Sequence, residues 1–136
     1  RAVLESDDLL PRERALQQAI APALAAQRFY IIGTSGLVSL PHEFSHGMYE
    51  MSKPYRLDVD RELAAIPIAL RRQMKQHLAS RGYAQVDRIL QDEIHAYLLE
   101  GHCLGCRLGE TAVFTYRLRS VFHSHAGDLG WKLLPD

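Results

Sequence analysis

The sequence predicts a mostly helical α+β domain, and three observations carry that expectation. Five stretches repeat apolar residues every three or four positions, the period of an amphipathic helix. One short stretch, residues 28–34, is aromatic and β-branched instead and runs into Gly33-Thr34-Ser35-Gly36, which predicts a strand and a turn. Proline and glycine fall at most of the joints between these stretches, where they end or redirect the backbone.

Taken in order, Asp7-Asp8-Leu9-Leu10-Pro11 reads as a helix start, with acids before the first turn and proline at an early helical position. Leu16, Ile20, Ala23 and Leu24 then give an apolar face through about Gln27, with Pro22 as a point of kinking. After the strand, a helix is expected from Val38 or Leu40 to Met51, packed through Leu40, Phe44, Met48 and Met51. From Asp58 to Ser80, Leu63, Ile66, Leu70, Met74 and Leu78 are helical again. Pro67 divides that run in two, and Gly82 stands as its stop. Arg71, Arg72, Lys75 and Arg81 crowd its last turns, where the helix dipole favours cations, so the charge run reads as a solvated face. Leu90, Ile94, Tyr97 and Leu98 mark a helix over Asp87–Glu100. A last helix over Thr111–His125 packs through Phe114, Leu118, Val121 and Phe122, ahead of a tail that docks Trp131.

Composition sets outer limits. A length of 136 residues predicts a single domain, residues 1–136, with a sizeable core. Sixteen basic residues balance sixteen acidic ones, which excludes a field that would gather nucleic acid or an anionic membrane. No apolar run approaches the length of a membrane span, so a soluble protein is expected. The chain opens at Arg1, not Met, which predicts a trimmed or processed piece, with any targeting signal lost along with the missing start.

The chemistry concentrates at His42-Glu43-Phe44-Ser45-His46, an H-E-x-x-H motif. On a helix, His42 and His46 project from one face a turn apart, and two imidazoles so placed can chelate one metal ion. Glu43 then lies beside the remaining coordination space, where a carboxylate can take a proton from water. The motif alone is suggestive; a third ligand makes it specific. Glu93 supplies a candidate: Asp92, Glu93 and His95 interrupt an otherwise apolar helix. A carboxylate on the flank of its buried side is costly unless paired or bound to metal. Tyr97, one turn beyond Glu93, is placed to donate its hydroxyl to a substrate oxygen or to orient the ligand.

H-E-x-x-H followed by a carboxylate on a second helix resembles the gluzincin branch of the zincin metallopeptidases, and Asp92-Glu93-Ile94-His95-Ala96-Tyr97 resembles the glutamate helix of small bacterial members. The resemblance spans about residues 28–100. It implies a zincin-like fold with an active-site helix, a glutamate helix and a short edge strand, the last placed at Arg28 to Thr34 to pair with an extended substrate. It implies Zn2+ held by His42, His46 and Glu93, with Glu43 as general base, and a bacterial cytoplasmic setting. The best-known members carry an acid four residues after the ligand glutamate that bonds the first histidine. This chain has Tyr97 there, so that partner must come from elsewhere, with Asp92 a candidate. No motif fixes a residue to stabilise an oxyanion, for which Tyr49, Tyr83, His95 and Tyr97 are candidates.

Cys103 and Cys106 form a lone C-x-x-C, open between inert thiols, a disulfide and a second metal site completed by His123 and His125. The expected function is a zinc-dependent hydrolase acting on a peptide or protein substrate. The competing readings are a catalytically inactive binding or structural protein, and a non-heme iron centre, which two histidines and one carboxylate also describe.

Overall fold

The computed structural model describes residues 9–24, 29–33, 39–107 and 109–127. These form six helices: α1 (Pro11–Leu24), α2 (Leu40–Met51), α3 (Lys53–Ala65), α4 (Ile68–Ser80), α5 (Asp87–Glu100) and α6 (Ala112–Ala126). The chain divides into two compact units, residues 1–30 and 31–136.

The first unit holds α1. Pro11 opens the helix, and the Glu13 carboxylate accepts from the Leu10 backbone N–H at 2.8 Å, satisfying a donor that the first turn leaves without an intrahelical partner. Its expected extension to Gln27 lies outside the described residues, as do Val38 and Trp131.

The expected strand is not present. Among the described residues there is no strand at all, and the fold is all-helical, not α+β. Residues 29–33 are irregular, with Phe29, Tyr30 and Ile31 exposed, while Arg28 and Thr34 lie outside the described residues. The physical reason is pairing. A strand satisfies its backbone groups only through a partner, and among the described residues no second strand exists to form a ladder. The edge strand proposed to receive a substrate falls with it. Phe114, Tyr116 and Leu118, whose alternation also fits a strand, lie in helix α6.

In the second unit α5 is the hub, in contact with α2, α3, α4 and α6. Leu90, Ile94, Leu98 and Leu99 from α5 meet Tyr55, Val59 and Leu63 of α3, Met74 and Leu78 of α4, and Phe114, Leu118 and Phe122 of α6. The breaks follow local chemistry. Ser52 caps α3 by accepting from the Tyr55 N–H, with Pro54 in the first turn. Pro67 separates α3 from α4, as the sequence predicts. Gly101, at φ 91°, ends α5 in the left-handed conformation that lets the His102 N–H bond back to the Tyr97 carbonyl.

On α2 the burial differs from expectation. Phe44 and Met48 pack only partly against the core, whereas Ser45, His46 and Tyr49 are buried. The polar stripe faces inward because α2 lies against α5, whose own polar residues meet it. Among the described residues no helix is long and apolar enough to cross a membrane.

Candidate metal centre

Helical spacing puts His42 and His46 one turn apart on α2, and their rings meet edge to face at 4.7 Å between centroids. From α5, Glu93 Oε2 lies 3.7 Å from His42 Nε2 and 3.8 Å from His46 Nε2. Ligand atoms of the three residues lie within 4.8 Å of one another, and among the described residues they are the one such group. Two donors held about 2.1 Å from one zinc ion at a tetrahedral angle stand about 3.4 Å apart, so the Nε2–Oε2 separations need to close by only a few tenths of an ångström. Glu93 Oε2 is buried with no hydrogen-bond partner, a costly state that a cation resolves. The residues fit a metal ion.

What lies behind the histidines strengthens the fit. His42 Nδ1 is 3.2 Å from Glu100 Oε2, and His46 Nδ1 is 2.9 Å from Asp92 Oδ1. A carboxylate can only accept, so the His42 Nδ1 that bonds Glu100 carries the proton and its Nε2 keeps its lone pair toward Glu93. Carboxylates that orient imidazoles in this way are the usual outer support of a metal site. Burial pulls the His42 pKa down, but Glu93 and Glu100 outweigh it and the net shift is upward. Burial likewise raises the Asp92 carboxyl, and His46 and His95 overcome it, holding the group below its ordinary value.

Asp92 also connects the centre to the core. His95 is fully buried, with Nδ1 3.2 Å from the Asp92 carbonyl oxygen and Nε2 2.7 Å from the Tyr55 hydroxyl. A carbonyl accepts, so Nδ1 donates and Nε2 accepts from Tyr55, which fixes one neutral tautomer. Burial lowers the His95 pKa in agreement with it.

Of the four oxyanion candidates, two are sealed away. Tyr49 is 2% exposed, its hydroxyl donating to Asp60 at 2.6 Å and its ring stacked on His95. His95 is committed to Tyr55 and Asp92. Tyr97 stands edge-on to His42 with 4.8 Å between ring centroids, and its hydroxyl is 2.8 Å from that of Tyr83. Both tyrosines are half-buried. Glu43 is half-buried in the first turn of α2.

Glu100 is the site residue that sequence reasoning missed. Its signal was present: Glu100 follows Glu93 by seven residues, two helical turns, and so shares its face. The second metal site is not assembled. Cys103 and Cys106 are unbridged; His125 Nε2 sits 2.9 Å from Asp58 Oδ2 on another face, and His123 packs against Phe122. Burial and the neighbouring Cys103 push the Cys106 thiol up to about 11, away from thiolate chemistry. Compared with known proteins, the chain matches no family model, no curated protein and no solved structure.

Proposed function

We propose that this chain is a zinc-dependent hydrolase that cleaves a peptide or amide bond. The observation that carries the reading is the convergence of His42, His46 and Glu93, with a carboxylate behind each imidazole and an unpartnered Glu93 oxygen between them. When bound, zinc supplies Lewis acidity toward the scissile carbonyl and lowers the pKa of water.

The chain's own groups do the rest. Glu43 takes a proton from the attacking water and returns it to the leaving amine, which spares the amine from departing as an anion. Glu100 and Asp92 hold the two imidazoles in the tautomer that ligates. Tyr97 is the group we assign to donate to the developing oxyanion, its hydroxyl 2.8 Å from that of Tyr83. A closed structural zinc site uses four protein ligands. Among the described residues three donors converge here, which leaves room for water and favours the enzyme over a structural centre.

The test begins with elemental analysis of protein purified without chelators, where about one zinc per chain is expected; iron in its place would redirect the chemistry to redox. Glu43→Gln is then expected to retain the metal and abolish turnover of peptide substrates. A fully active variant would remove Glu43 from the role of base.

A further inference from the structure

A second cavity adjoins the candidate metal centre, with a volume of about 380 Å³, toward the lower end of ligand pockets. Tyr97 forms the wall they share: its ring centroid lies 4.8 Å from that of His42 and 5.8 Å from that of His102. The remaining lining comes from His77 on α4, from Arg81 at its C-terminal cap, and from the turn that follows α5, residues 102–105. That turn is held against α4. Gln73 Nε2 donates to the Gly105 carbonyl at 2.6 Å, and Gly105, at φ 80°, leaves so little room that a Cβ there would meet His77 Nδ1 at 2.9 Å.

The lining carries one fixed charge, and it is positive. It contains a guanidinium and two imidazoles and no carboxylate. The nearest acid from the metal centre, Glu100, is 3.5 Å from His102 Nε2 but is directed to His42 Nδ1 at 3.2 Å. Leu104, 4% exposed, gives the cavity an apolar base. A guanidinium beside an apolar floor, across Tyr97 from His42, suits the methylene stem and carboxylate of an acidic side chain.

We infer that this cavity is the specificity subsite for a glutamate or aspartate next to the scissile bond, with Arg81 as its carboxylate-binding group. The inference rests on the proposed hydrolase activity, whose failure can be told apart from its own.

Zinc-loaded protein is assayed on peptide pairs that differ only by glutamate or glutamine at each position beside the cleaved bond. At one position glutamate is expected to be preferred about tenfold or more in kcat/KM, carried by KM, because a bond to a charged group replaces a neutral one. Arg81→Glu, an exposed position at the end of α4, is expected to erase or reverse that preference. Equal cleavage of both peptides at every position overturns the inference while leaving the hydrolase intact. If no peptide is cut, the pocket is tested by NMR titration of the zinc-loaded protein with N-acetyl-glutamate amide and N-acetyl-glutamine amide. Saturable shifts at Arg81, His77 and His102 for glutamate alone, lost in Arg81→Glu, support the subsite. Binding that survives Arg81→Glu places the carboxylate on the metal and overturns it, as does the absence of binding.

Discussion

Replacing Glu100 by glutamine changes one atom and tests the metal centre from behind. The amide oxygen still accepts from His42 Nδ1–H, so the ring keeps its direction, while the negative charge 3.2 Å away is removed. Losing such an outer partner typically weakens metal binding 10- to 100-fold, about 1.4–2.7 kcal/mol. Two features place Glu100→Gln near the lower end. The Glu100 side chain is 17% exposed, so solvent already screens part of its charge. Glu100 also helps raise the His42 pKa, and a proton on His42 must leave before a metal binds, so the variant loses some of its competitor. The expected result is about a tenfold loss of zinc affinity at pH 8, narrowing as the pH falls and protonation handicaps the parent more. Competition against a chromophoric chelator measures it, with circular dichroism to show that the variant is folded. Unchanged affinity at pH 8 would remove Glu100 from the metal's support. A loss as complete as that of a ligand deletion would make it a ligand and refute the assignment of Glu93.

Glu93→Ala is expected to lose most of its bound zinc in the same titration; full retention would remove Glu93 from the ligand set. Phe122 is fully buried against Tyr55 and Phe44, so Phe122→Ala is expected to cost about 3–5 kcal/mol in urea unfolding, and less than about 1 kcal/mol would contradict the packed core. The Asp58 carboxyl is held below its ordinary value, first by His125 and then by Arg61. A depressed folded pKa gives stability that is present above the ordinary carboxylate range and lost as pH falls through the folded value. Asp58→Asn is therefore expected to be less stable than the parent at neutral pH and equal to it in acid, and a pH-independent difference would exclude that ion pair as the cause.

The parts legible in the sequence are those governed by short spacing. His42 and His46 share a face because four residues make one turn, and Glu93 is conspicuous because an acid interrupts Leu90, Ile94 and Leu98. The division at Pro67 follows from one ring and one missing N–H. Contacts between distant segments were not legible. Residues 29–33 have the side chains of a strand, but a strand exists only with a partner, and none of the helices offers one. Leu40, Phe44, Met48 and Met51 look like the packed side of α2 until α5 covers the other stripe with Asp92, Glu93 and Glu100. Glu100 itself, an acid in the last turn of a helix, looks solvated until His42 arrives from 58 residues earlier.

The path from His46, 2.9 Å from the Asp92 carboxylate, through the Asp92 carbonyl and His95 to Tyr55 ends inside the hydrophobic core, where Tyr55 touches Phe122. If the proposed centre binds its ion, packing and metal affinity are thereby coupled. A substitution deep between α3 and α6 that turns the Tyr55 ring is expected to turn His95 too, and through Asp92 to reach an imidazole proposed to bind the ion. Selection for a sturdier core and selection for a tighter centre cannot act independently on this chain. Compensating changes in one are expected to appear as changes in the other, in residues that never approach a substrate.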